Sequence, residues 1–267
     1  MFFLFLVSRT SASSFGVPVY WFYQGRKGGV MEDFDYTVSL MINALANRWG
    51  WFDALMHGFT NNYLLKSASL ITLYYVAWFA PTLDIAVARQ RQTHLLAGLG
   101  AAVLAPVLAR LFAVMLPYRD RPLHTEGFPF KLPEHMKPDV DIGWSSFPSD
   151  TAALVVPLAV GLFVADRRLG ILASVIVAID CFARIFSGLH FLTDILAGAT
   201  LGVTAFCLIA CTPLKKIWTR PSFWLLEAYP GIFYGAFFLI TYQIANVFWE
   251  SFNIVNHFMK IAILRHG

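Results

Sequence analysis

Long apolar runs alternate with short polar segments along this chain, and the runs have the length of a bilayer. They fall at about 67–86, 94–117, 150–166, 170–189, 193–213 and 229–249. A helix rising 1.5 Å per residue needs about 20 residues to cross about 30 Å of hydrocarbon. The pattern predicts an all-α polytopic bundle of about six transmembrane helices. Ahead of them, "MEDFDYTVSLMINALANRWGWFDALMHGFT" mixes Leu, Ile, Met and Trp with Asp, Asn and Arg at helical spacing, which predicts an interfacial helical segment. The opening "MFFLFLVSRTSASSFG" has no positive region before its apolar run and is too short to span. The closing "SFNIVNHFMKIAILRHG" is amphipathic and is expected on the outer surface. The organisation expected is therefore 1–66 as tail and interfacial helices, 67–213 as the transmembrane core, and 214–267 as one more span with an amphipathic tail.

The polar segments set orientation. "ARQRQ" (88–92), "DRRLG" (166–170) and "PLKKIWTR" (213–220) are short and basic, and successive spans place all three on one side. Basic loops stay in the cytoplasm. The loop 118–147, the turn around Gly188 and the N-terminal segment then face outward, which in a bacterial inner membrane is the periplasm.

Composition agrees. Of 267 residues, 58% are hydrophobic and 13% charged, against about a quarter charged in ordinary soluble chains. The net charge of +4 is scattered between apolar blocks, with no stripe or tail suited to nucleic acid. Cys181, Cys207 and Cys211 lie within apolar runs, without metal-site or disulfide spacing, and read as packing residues.

Three outward neighbourhoods carry the chemistry: "LPYRDRP" (116–122), "FPSDT" (147–151) and "ARIFSGLHFLTD" (183–194). Their residue types suit a phosphate. Arg121 and Arg184 can donate paired, charge-assisted hydrogen bonds to phosphoryl oxygens. Ser149 and the backbone N–H groups of Asp150 and Thr151 sit at an expected helix N-terminus, where unpaired donors attract anions. His190 is the candidate nucleophile, through a phosphohistidine. Asp194, four residues on, is expected to hold the other imidazole nitrogen. Arg110, about three helical turns before Arg121, could snorkel toward the same site, and Asp180, one turn before Arg184, either aims that guanidinium or forms a structural ion pair with it. The set calls for no metal or cofactor. In the outer loop, His124, Glu126, Lys131 and Asp141 could meet a headgroup, although a solvated loop explains them as well.

These motifs resemble the type 2 phosphatidic acid phosphatase (PAP2) family over about residues 67–213. The family's motifs read lysine, six residues, Arg-Pro; Pro-Ser-Gly-His; and Ser-Arg, five residues, His, three residues, Asp. Arg121 and Pro122 match the first, Pro148 and Ser149 the second, and Arg184, His190 and Asp194 the third. The resemblance implies that His190 is the nucleophile, that Asp194 orients it, and that Arg121, Arg184 and Ser149 hold the phosphate of a membrane lipid. "SSFPSD" looks like bacterial relatives that act on undecaprenyl pyrophosphate, which implies an isoprenoid carrier as substrate. Three positions depart: Val114 stands at the lysine, Ala183 at the serine and Asp150 at the glycine. Charge at the lysine position must then come from Arg110 or Arg119, or it is absent.

The largest departure is Thr151, where the family's second histidine protonates the leaving group. A hydroxyl has no pKa near neutrality, and a general acid is typically worth about 10²- to 10⁴-fold. The chain thus reads as impaired, engineered, or tuned to a good leaving group such as a lipid phosphate. A silent lipid phosphate binder or carrier and a lipid phosphotransferase are the rival readings.

Overall fold

The computed structural model describes residues 30–138, 143–211 and 213–248, and from Asp35 onward the chain forms one compact unit. All its regular elements among these residues are helical: α1 (Val30–Asn43), α2 (Gly50–Asn61), a π turn (Leu64–Ala68) running into α3 (Ser69–Trp78), α4 (Ile85–Met115), α5 (Asp150–Ala165), α6 (Arg167–Phe186), α7 (Leu192–Cys211), α8 (Leu214–Ala228) and α9 (Pro230–Ala245). The expected all-α bundle is found. α4, α6 and α7 are long and apolar enough to cross a membrane, and α5 and α9 are shorter apolar helices. The N-terminal tail, the C-terminal tail and Asp141 lie outside the described residues.

Capping residues explain several boundaries. Asp84 accepts from the N–H groups of Ala86 and Val87 at the start of α4, and Asp166 from those of Arg168 and Leu169 at the start of α6. Each satisfies donors that a helix start leaves unpaired. All three basic segments expected as loops are helical over most of their length, 167–170 opening α6. Residues 88–92 form the first turns of α4, and 214–220 open α8. α8 is amphipathic: Thr219 is buried, Trp218 donates to the Leu96 carbonyl at 2.8 Å, and Lys216 and Arg220 are exposed. Apolar residues at 214, 217, 218, 224 and 225 carry the helical period that the neighbouring charges obscure. The first expected span is also shorter than read, since α3 stops at Trp78, three residues before Pro81, which cannot continue a helix.

α5 lies at the centre, packed against α3, α4, α6 and α7. Small residues permit this. Tyr74 on α3 donates to the Leu158 carbonyl at 3.0 Å across the facing surfaces of Gly98 and Gly161, where an added Cβ would lie 2.1 and 2.6 Å from its hydroxyl. On α7, Gly198 and Gly202 repeat the small-xxx-small spacing that lets membrane helices approach closely. A Cβ on Gly198 would stand 2.2 Å from the Ser149 carbonyl oxygen. Gly198→Ala is therefore expected to push α7 off the start of α5 and destabilise the protein by about 1–3 kcal/mol, measured by thermal unfolding in detergent. Activity should fall with it, because Ser149 opens the candidate site.

Candidate active site

α4 and α6 end, and α5 and α7 begin, at the same end of the bundle. The three sequence neighbourhoods meet there. Ser146 N–H donates to the Arg119 carbonyl at 3.0 Å and its hydroxyl to the Asp120 carbonyl at 3.2 Å. Arg121 Nη1 donates to the Leu189 carbonyl at 2.8 Å, and Leu123 N–H to that of Gly188 at 3.0 Å. Ser149 N–H reaches the Asp194 carbonyl at 3.0 Å. Gly188 has φ +71° and faces Phe130 so closely that a Cβ would lie 2.6 Å from the ring, so both conformation and space require glycine at this turn.

His190 is 2% exposed, and its Nδ1 lies 2.9 Å from the Ser146 carbonyl oxygen. A carbonyl only accepts, so Nδ1 carries the hydrogen and the Nε2 lone pair is left for chemistry. This corrects the expected partner. Asp194 Oδ2 is 3.8 Å from Nδ1, outside hydrogen-bond range, and its carboxylate accepts instead from Phe191 N–H at 2.7 Å and Arg119 Nη1 at 2.6 Å. The four-residue spacing misled because His190 precedes α7, which starts at Leu192. Asp194 lies in the first turn of that helix and bonds an N–H just before it.

Arg121 and Arg184 are both buried, and both act electrostatically on His190 and on Asp150. Arg184 Nε lies 3.8 Å from Asp180 Oδ2 on the preceding turn. Ser149 is the N-cap of α5, its Oγ accepting from Ala152 N–H at 3.3 Å, which leaves its hydroxyl hydrogen to donate. Asp150 is ion-paired with Arg110, and Thr151 Oγ1 donates to its Oδ1 at 3.4 Å. Arg110 therefore meets the site through Asp150, with its guanidinium 4.7 Å from the Trp144 ring centre. Arg119 bridges Asp194 and Asp35 at 2.6 and 2.5 Å. Both arginines weighed for the lysine position are thus paired with carboxylates, and Val114 at that position is 80% exposed. In the outer loop, His124 Nε2 lies 3.0 Å from the Pro138 carbonyl oxygen, and Glu126 and Lys131 are exposed.

Burial first, and then the charges of Arg121 and Arg184, hold the His190 pKa well below the ordinary 6.5, against smaller opposing effects of Asp150 and the Ser146 carbonyl. The sign follows. Lowering this pKa keeps the imidazole neutral, and therefore nucleophilic, at pH 7 and below 6.5. The acid limb of kcat/KM that reports His190 in the free enzyme is expected below pH 6.5, checked by a pH–rate profile. Folding is linked in the same sense: below pH 6.5 the unfolded chain binds a proton that the native site refuses, so stability contributed by the neutral histidine declines as pH falls through that range.

Three residues here escaped sequence reasoning: Asp35, Ser146 and Lys66. Asp35, Ser39 and Asn43 form a buried polar stripe on α1 at four-residue spacing, while Met41 is 69% exposed. The usual inside–outside pattern is inverted, which the spacing itself could have revealed. Asn43 also pairs both ways with the Lys131 backbone, at 2.7 and 2.8 Å, and so anchors the outer loop. Lys66, buried in the π turn, donates to the Thr60 carbonyl at 2.9 Å and acts electrostatically on Asp180.

The sequence profile of the PAP2 superfamily matches residues 91–218. The bacitracin transport permease protein BcrC of Bacillus licheniformis is 32% identical over 127 residues, 45% of this chain and 56% of that protein. The aligned region thus spans little more than half of that relative's length. A transmembrane PAP2-type phosphatidylglycerolphosphate phosphatase from Bacillus subtilis aligns with a TM-score of 0.44 at 22% identity, covering 68% of this chain and 86% of that one. The profile match covers just under half of the chain, and the three ordered motifs, from Leu116 to Asp194, all fall inside it.

Proposed function

We propose that this protein is an integral membrane phosphatase that removes phosphate from a lipid phosphate or pyrophosphate at the periplasmic face, with an isoprenoid carrier such as undecaprenyl pyrophosphate as substrate. The observation that carries the reading is His190, buried beside Arg121 and Arg184 with Nδ1–H donated to the Ser146 carbonyl and Nε2 left as the nucleophilic atom. The PAP2 profile match over residues 91–218 supports it, and "SSFPSD" supports the choice of lipid. Placement of basic segments at the opposite end of the helices supports an outward-facing site.

In this reading, Nε2 attacks the terminal phosphorus and the bond to the bridging oxygen breaks. Arg121, Arg184, the Ser149 hydroxyl and the N–H groups opening α5 bind the phosphoryl oxygens. Ser146 keeps the proton on Nδ1 as the ring acquires positive charge, and the nearby Asp194 carboxylate favours that charge through space. A lipid phosphate departs as an anion and needs no proton, so Thr151 is tolerable there. Water then attacks phosphorus, the P–N bond returns to Nε2, and the water proton leaves with phosphate or to solvent. No metal or cofactor enters.

The test is phosphate release from undecaprenyl pyrophosphate by purified protein, with His190→Ala as control. Equal release by the two overturns the assignment. Thr151 favours one rival, a silent lipid phosphate binder: that reading gains if Thr151→His brings no turnover while lipid binding persists. Labelled phosphate passing to a lipid or sugar acceptor instead of water identifies a phosphotransferase.

A further inference from the structure

We propose that Asp35 is a positioning residue for the His190 site, acting through Arg119: together they hold Asp194 and the turn that carries the histidine, and they set the net charge beside it. The inference rests on the phosphatase reading above. Asp35 lies on α1, outside the segment 91–218 that matches the superfamily profile.

Asp35 is fully buried, and each carboxylate oxygen is used. Oδ1 accepts from Thr193 N–H at 3.0 Å; Oδ2 accepts from Arg119 Nη2 at 2.5 Å and from the Thr193 hydroxyl. Arg119 Nη1 donates at 2.8 Å to that hydroxyl and at 2.6 Å to Asp194 Oδ1. The guanidinium carbon lies 4.5 Å from the Phe191 ring centre, and Tyr36 of α1 packs on the same ring at 5.6 Å. Residues 191, 193 and 194 are consequently gripped by α1 and Arg119, directly after His190.

Charge gives the grip a second effect. One arginine shared by two buried carboxylates leaves one net negative charge next to an imidazole that becomes positive on phosphorylation. With Asp35 neutralised, Arg119 would cancel Asp194 fully, and that support would vanish. The loss should appear in turnover, where positive charge develops, and hardly in substrate binding.

Asp35→Asn, similar in size, is expected to lower kcat by about 10- to 100-fold with KM within about threefold, in the range of coupling found within one ion-pair network. In an Arg119→Gln background, where Asp194 regains its charge, the same substitution should cost less than about threefold. Unchanged kcat in Asp35→Asn, or equal losses in both backgrounds, overturns the proposal. If Asp35→Asn does not elute as folded protein, Asp35→Ser removes the same charge with a smaller polar side chain and is expected to lower kcat likewise; an unchanged kcat there also overturns it. Should wild type and His190→Ala release phosphate equally, the phosphatase reading fails by itself. The cycle is then read in orthovanadate affinity, where Asp35→Asn should weaken binding about tenfold by loss of the same coupling and equal affinity overturns the positioning role.

Discussion

Phosphate release is expected to fall by about 10⁴-fold or more when His190 is replaced by alanine, as losses of covalent nucleophiles do. Alanine also strips the Ser146 carbonyl of its donor, and a buried acceptor left unpaired costs about 1–3 kcal/mol. Asparagine separates the two effects. Its side-chain N–H₂ can take the place of Nδ1–H and keep the bond to Ser146, yet it has no Nε2 to attack phosphorus. His190→Asn should therefore lose turnover as fully as His190→Ala while unfolding closer to wild type, measured by release assays and thermal melts in detergent. Substantial turnover in His190→Asn would remove the histidine from the chemistry.

Thr151→His is the second large effect, and it is a gain. The hydroxyl of Thr151 lies 3.4 Å from Asp150 Oδ1, so an imidazole at this position has a carboxylate beside it to orient one nitrogen. For a lipid monophosphate, the departing alkoxide is a strong base and needs a proton in the transition state; a general acid there is worth about 10²- to 10⁴-fold. For a diphosphate, the leaving lipid phosphate is already a weak base. Rescue should therefore be large for monophosphates and below about tenfold for diphosphates, where acid catalysis has little left to supply. A panel of both lipid classes, run on wild type and Thr151→His, reads the contrast. Equal rescue of both would mean that Thr151 limits some step other than leaving-group departure.

The apolar blocks made the bundle legible because a bilayer imposes length and composition on every crossing segment. Arg121, Ser149, Arg184 and His190 were legible because short motifs kept their spacing, and the fold does bring them to one end of the bundle. What spacing could not convey was geometry across chain breaks. Asp194 looked like the partner of His190 only if one helix ran through both, and the start of α7 at Leu192 removes that condition. The partner that replaces it, the Ser146 carbonyl, is 44 residues away and has no side-chain signature. Asp35 meets Thr193 across 158 residues, from a helix whose polar stripe is turned inward. Charges in an interfacial segment are ordinarily read as its wet face, and here that assumption points the wrong way.

Trapping the covalent intermediate tests the central claim most directly. Wild-type protein is mixed with a lipid pyrophosphate labelled at its terminal phosphate, quenched in denaturant, and digested. The account predicts base-stable, acid-labile label on the peptide containing His190, formed before free phosphate and absent from His190→Asn. Phosphate released at full rate with no label on that peptide, under a quench that preserves phosphohistidine, would contradict it.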